Sequence, residues 1–216
     1  MNKKLWLTNI IVNSLIAALT IVGVFLMFFG DDGALSSARW EAFKYFTVQS
    51  NLFAAASAVI SLVYLFKKNK EYPSWLTIFK LTSTVSVAIT FFVVIIYLGP
   101  IYSYPLLYRN ANLFFHAIVP ALAMLQFALI EPKAKFSFKL NLFSLLPVSV
   151  YGTFYLINVA ARNDYGNYKG ADWYAFGTYG LGIGILCLLI LIAFSFVISI
   201  GLYFLHQKTT IKKLHQ

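Results

Sequence analysis

Leu5-Trp6-Leu7-Thr8-Asn9-Ile10-Ile11-Val12-Asn13-Ser14-Leu15-Ile16-Ala17-Ala18-Leu19-Thr20-Ile21-Val22-Gly23-Val24-Phe25-Leu26-Met27-Phe28-Phe29 contains no charged residue. At 1.5 Å per residue, a helix of this length reaches roughly 37 Å, more than the ~30 Å hydrocarbon core of a bilayer. Lipid offers no partner to backbone N–H and C=O groups, so a crossing segment is a helix or part of a closed barrel. The period-two alternation of barrel strands is absent, which leaves the helix. Met1-Asn2-Lys3-Lys4 ahead of this run resembles the start of a secretory signal. No convincing small-residue cleavage site follows, so the run is expected to be retained as a first span.

The rest of the chain repeats the pattern. Of the 216 residues, 60% are hydrophobic and 11% charged, and the mean hydropathy is +0.76. Long apolar runs predict an all-α polytopic fold, a single domain over 1–216 with helices at 5–29, 42–66, 74–99, 110–130, 139–160 and 180–205. The longest connection, 161–179, carries Asn163, Asp164, Gly166, Asn167, Gly170 and Asp172, which favour turns over a seventh span. There is no room for a separate soluble domain.

The net charge of +10 sits in short clusters between apolar runs and forms no continuous stripe, so no nucleic-acid partner is expected. Lys3, Lys4, Lys67, Lys68, Lys70, Lys80, Lys133, Lys135, Lys139, Lys208, Lys212 and Lys213 fall on one side. Arg39, Lys44, Arg109, Arg162 and Lys169 fall on the other. This imbalance predicts that the lysine-rich side, with both termini, faces the cytoplasm. Cys187 is the only cysteine, so neither an intrachain disulfide nor a cysteine-ligated metal is expected. Gly180, Gly182 and Gly184 suggest close helix packing, and Pro120 and Pro147 suggest kinks in helices four and five. His206 and His215 are expected to be solvated near the tail.

Two span openings are unusually polar. Phe43-Lys44-Tyr45-Phe46-Thr47-Val48-Gln49-Ser50-Asn51-Leu52-Phe53 places Lys44, Thr47 and Asn51 at helical spacing with Ser50 beside them. Asn110-Ala111-Asn112-Leu113-Phe114-Phe115-His116-Ala117-Ile118-Val119-Pro120 places Asn112 and His116 one turn apart. Both segments enter from the same side, and Thr47 and His116 fall at matched depths of roughly 8–10 Å. A threonine hydroxyl needs a base to become a nucleophile, and a histidine in reach supplies one for attack on an acyl carbon. Asn51, Asn112, Gln49 or Ser50 would orient the ring or bind the oxyanion, and Lys44 or Arg109 would bind negative charge at the surface. Ser50 is the rival nucleophile. The plainer reading is a Thr47 back-bond and an interhelical His116 bond. Thr82, Ser86 and Thr90 likewise need only helix packing.

Lys44-Tyr45-Phe46-Thr47-Val48-Gln49-Ser50-Asn51-Leu52 and Phe114-Phe115-His116-Ala117-Ile118-Val119-Pro120 resemble the two signature stretches of the androgen-induced-gene and androgen-dependent TFPI-regulating protein family, including its bacterial relatives. The resemblance implies a multi-pass protein of the cell membrane, bacterial in this case, that hydrolyses fatty acyl esters without a metal or other cofactor. It implies a catalytic threonine at Thr47 and a catalytic histidine at His116. A third family stretch, rich in Tyr and Pro, is matched loosely by Trp173-Tyr174-Ala175-Phe176-Gly177-Thr178-Tyr179-Gly180, which lacks the prolines. The competing expectation is a small transporter or lipid-moving protein with His116 in a polar pathway. Polar groups concentrated at one end, and no acidic residue buried in a span, weigh against it. A purely structural or partner-binding membrane subunit is the third possibility. No Gly-x-Ser-x-Gly elbow, His-Glu-x-x-His motif or paired intramembrane carboxylates support other hydrolase classes.

Overall fold

The computed structural model describes residues 3–30, 34–67, 72–132 and 136–212. Asp31, Asp32, Lys68, Lys70, Lys133, Lys135, Lys213 and His215 lie outside them. Six helices are long and apolar enough to cross a membrane: α1 (Lys3–Phe29), α2 (Phe46–Phe66), α3 (Ser74–Tyr102), α4 (Ala111–Ile130), α5 (Phe138–Arg162) and α6 (Leu181–Lys208). An even number of crossings returns both termini to one end, which we call the lysine-rich end.

Two boundaries differ from expectation for local reasons. The segment expected to open the second helix is a separate 3-10 turn, Arg39–Lys44, followed by extended Tyr45 (φ −78°, ψ 137°), so α2 starts at Phe46. The fifth helix begins as a 3-10 run, Phe138–Leu145, and becomes α-helical from Leu146. Pro147 occupies the first α turn, where its missing N–H leaves no bond unmade, so it starts a helix and does not kink one.

Three of the other prolines each follow a wider turn. Val94–Leu98, Phe114–Ile118 and Gln126–Ile130 are π-turns, and each ends two residues before a proline: Pro100, Pro120 and Pro132. A proline ring clashes with the carbonyl four residues back, and the wider turn relieves that clash. One carbonyl per turn then loses its backbone donor. In α4, the Val119 N–H goes to the Phe114 carbonyl and Pro120 has no N–H, which orphans the Phe115 carbonyl. Ile95 is orphaned identically, because Gly99 N–H bonds Val94 and Pro100 follows; Phe127 lies in the last turn of α4, where Glu131 N–H bonds Gln126 and the chain turns extended at Glu131 (ψ 137°). A side chain satisfies each: the Tyr104 hydroxyl donates to Ile95 (2.8 Å), Asn51 Nδ2 to Phe115 (2.9 Å), and His206 Nδ1 to Phe127 (3.1 Å). His206 is therefore buried against the Phe127 ring, centroids 4.9 Å apart, and is not the solvated tail residue its position suggested.

Helix α3 is central. It packs on α2, α4, α5 and α6, and Leu81 through Thr90 are buried without exception. Thr82 and Ser86 donate back to the carbonyls four residues earlier, as a packed helix interior requires. Around α3 the neighbours run α2, α1, α4, α6, α5. Ile16, Ala54, Ala58, Val87, Val119 and Ala123 join α1 to α4, small side chains letting the backbones approach. Leu81, Val85, Phe127, Val148 and Ile198 join α3 to α6. Between α2 and α5 the ring stays open. Of the three glycines before and within α6, only Gly184 packs closely, where an added Cβ would lie 2.8 Å from Leu156 Cδ2. Gly180 makes the turn into α6 at φ +95°, and Gly182 faces open space.

The lysine-rich half holds a polar network that corrects two expectations. Lys80 is no surface topology marker: it is 2% exposed, and its Nζ donates to Asn13 Oδ1 on α1 (2.9 Å). Eleven basic residues against five still favour the same orientation. Glu131, 1% exposed, directly follows α4, so a buried carboxylate does lie at the end of a span.

Candidate functional site

The first turn of α2 meets α4 through one amide. Asn51 is fully buried, and its Nδ2 donates to the Thr47 carbonyl (2.8 Å) and to the Phe115 carbonyl (2.9 Å). The turn that carries Thr47 is thereby tied to the residue preceding His116. Val48, Phe115, Ala111, Met27, Leu35 and Ala42 pack around this junction. The α2 N-terminus is held from outside as well. Tyr174 of the α5–α6 loop accepts the Phe46 N–H at its hydroxyl (2.8 Å), and the Tyr151 hydroxyl donates to the Lys44 carbonyl (2.6 Å). Burial pushes the Tyr174 phenol well above its ordinary pKa, so it stays neutral.

His116 is 6% exposed and lies within the π-turn Phe114–Ile118. Its Nδ1 is 2.8 Å from the Leu107 carbonyl. A carbonyl can only accept, which fixes the proton on Nδ1 and leaves Nε2 as the basic nitrogen. Thr47 is half-buried. Its hydroxyl makes no hydrogen bond among the described residues, to His116 or to any other group.

The supporting residues separate by what their polar atoms are already doing. Asn51 Nδ2 is committed to two carbonyls. The Ser50 hydroxyl is directed to the Thr47 carbonyl (3.1 Å) and to Thr90 Oγ1 on α3 (3.3 Å), and Gln49 Nε2 donates to the Phe43 carbonyl (2.9 Å). Asn112 differs. It is fully buried, its Oδ1 accepts the Leu35 N–H (3.3 Å), and its Nδ2 has no hydrogen-bond partner among the described residues. Asn51 Oδ1 is also buried without one. Arg109 is exposed at the mouth of α4.

The chain matches no protein-family model, no curated protein and no solved structure.

The gap between α2 and α5 is a cavity of about 530 Å³, a size ordinary for small-molecule sites. Phe46, Phe53, Val150 and Phe154 make its walls apolar, while Ser50 and Ser86 add hydroxyls from α2 and α3. Lys44 stands at its rim, ion-paired with Glu41 (3.1 Å) and 5.5 Å from the Trp173 ring centroid. Lys44, Gln49 and Ser50 thus border the cavity, whereas Asn51 and Asn112 face the α4 junction. Neither Thr47 nor His116 lines it. On a helical wheel Thr47 lies between Ser50 and Asn51, so it separates the two environments. Among the described residues, no group of three His, Cys, Asp or Glu side chains stands together.

Sequence reasoning missed Leu107, because a backbone carbonyl leaves no signature in the residue type. It also missed Tyr151 and Tyr174, although the loose third family stretch includes Tyr174.

Proposed function

We propose that this chain is an intramembrane hydrolase of lipid esters, with Thr47 as nucleophile and His116 as base. The supporting observation is the Asn51 amide, which holds the Thr47 turn and the His116 turn on one nitrogen. His116 Nε2 takes the Thr47 proton as the hydroxyl attacks the acyl carbon, and returns it to the leaving alkoxide; water then repeats the cycle to release the acid. Asn112 Nδ2, buried without a hydrogen-bond partner among the described residues, takes the oxyanion role. The cavity between α2 and α5 receives an acyl chain, with Lys44 at its rim facing any negative charge. A nucleophile and base that close up only around substrate are ordinary, so the absent bond between Thr47 and His116 does not count against the pair. The family resemblance of both stretches points to the same chemistry.

Purified protein in nanodiscs, given long-chain esters, tests this. Thr47→Ala should abolish turnover and labelling by a hydroxyl-directed fluorophosphonate, Thr47→Ser should retain both, and His116→Ala should cost about 10²–10⁴-fold. Equal labelling of wild type and Thr47→Ala would refute the assignment.

A transport reading has one observation of its own. Polar side chains continue along buried α3 from Lys80 through Ser83, bonded to Ser57 (2.8 Å), to Thr90, bonded to Ser50. Solute flux in proteoliposomes that survives Thr47→Ala and requires His116 would establish it instead.

A further inference from the structure

The lysine-rich half buries two opposite charges that do not touch. Lys80 Nζ donates to Asn13 Oδ1, and Asn13 Nδ2 donates to Asn9 Oδ1 (2.7 Å). Gln126 Nε2 donates to that same Asn9 oxygen (2.7 Å) and to Glu131 Oε2 (2.6 Å). Three amides therefore connect the ammonium to the carboxylate, and no direct ion pair joins them among the described residues. Such an arrangement is poor for stability, since desolvating two charges is compensated only by close contact. Ionisable groups at membrane depth are functional sites by default. The network is also incompletely used: Asn9 Nδ2 and Gln126 Oε1 are buried without partners among the described residues.

One route leads out. The Tyr72 hydroxyl donates to Glu131 Oε1 and is 2.9 Å from Ser61 Oγ, and Tyr72 itself is only half-buried, in the α2–α3 connection. His206 on α6 donates from Nδ1 to the Phe127 carbonyl, four residues before Glu131. We propose that Glu131 is a proton-binding site reached from the lysine-rich face through Tyr72, and that its protonation sets how firmly Tyr72 ties the α2–α3 connection to the end of α4. One proton from water adds to the carboxylate, and no other bond forms or breaks. The charge-assisted Tyr72 bond, roughly twice as strong as a neutral one, becomes neutral, and the Lys80 ammonium loses its counter-charge. Burial pushes the Glu131 carboxyl above its usual range, while Lys80 and the Tyr72 hydrogen bond pull it back. The net direction is upward, which favours the protonated carboxyl more than in an exposed carboxylate.

Infrared difference spectroscopy of the full chain in nanodiscs, titrated from about pH 9 to about pH 5, reads the proton directly. A protonated-carboxyl stretch should grow as pH falls and be absent in Glu131→Gln. Lys80→Met should move its midpoint to a proton concentration at least tenfold lower, since the cation that favours the carboxylate is gone. Tyr72→Phe, a milder change near the surface, should move it the same way and serves if Lys80→Met fails to fold. The proposal is overturned if no Glu131-dependent band titrates, or if the midpoint ignores these variants.

Discussion

Asn51→Leu isolates the contact that joins the two halves of the candidate site. Leucine keeps the branching at Cγ but removes both donors. The Thr47 carbonyl keeps the Ser50 hydroxyl at 3.1 Å, so its loss is partial. The Phe115 carbonyl has no replacement, because Val119 N–H is engaged with Phe114 and Pro120 has no N–H. An unpaired buried carbonyl costs about 1–3 kcal/mol in a protein interior, and interhelical bonds in membranes average about 0.6 and reach about 1.7 kcal/mol. The expected destabilisation is therefore about 1–2 kcal/mol, read from reversible unfolding in mixed detergent micelles. Pro120→Ala supplies a backbone N–H in reach of the orphaned carbonyl. In the double variant the loss should shrink, with a coupling of about 1 kcal/mol between positions on different helices. Additivity within about 0.3–0.5 kcal/mol would refute the claim that Asn51 substitutes for the donor Pro120 removes.

Three further outcomes follow from the same geometry. Asn112→Ala should lower kcat for ester hydrolysis by about 10²–10³-fold with a smaller change in KM, because its donor acts on charge that develops at the transition state. Tyr174→Phe removes the acceptor of the Phe46 N–H and should destabilise the fold by about 1 kcal/mol, as other lost helix caps do, measured by the same unfolding titration. Asp164 is held below its usual carboxylate range by the Ala171 N–H and the Asn167 amide. A depressed folded pKa means stabilisation that is present above the ordinary value and lost as pH falls through the lowered one. Amide protection factors in the α5–α6 loop, which remove the intrinsic pH dependence of exchange, should then stay unchanged down to about pH 4 and fall below it, with Asp164→Asn removing the dependence.

The six spans were legible because run length in an apolar sequence is a one-dimensional property. Helix starts were less so. Arg39–Lys44 and the α2 opening share one amphipathic pattern, and only the extended Tyr45, held by contacts with a distant loop, separates them. Lys80 read as a flank because it lies early in its apolar run; what buries it is Asn13, 67 positions away. His206 read as tail for the same reason, since its partner is a carbonyl on α4. Thr47 and His116 stood out by residue type and spacing. The groups that orient them did not, because the Leu107 and Phe115 carbonyls act through backbone geometry.

The prolines connect these observations. Each of the three π-turns leaves a carbonyl that must find a donor on a side chain, and in hydrocarbon an unmet carbonyl is not rescued by water. Tyr104 answers locally, nine residues from Ile95, and fixes only the short turn that follows α3. Asn51 and His206 answer from other helices, so the two unpaired carbonyls specify which helices sit beside α4 at each end. At one end that constraint brings the first turn of α2 against the turn of α4 that carries His116; at the other it brings α6 against the segment that presents Gln126 and Glu131. Helix α4 is thus docked at both ends through carbonyls that its own backbone leaves unpaired. Replacing His206 with phenylalanine should accordingly cost about 1–2 kcal/mol in the same unfolding titration, and add to the Asn51→Leu loss within about 0.3–0.5 kcal/mol, because the two contacts hold opposite ends of α4.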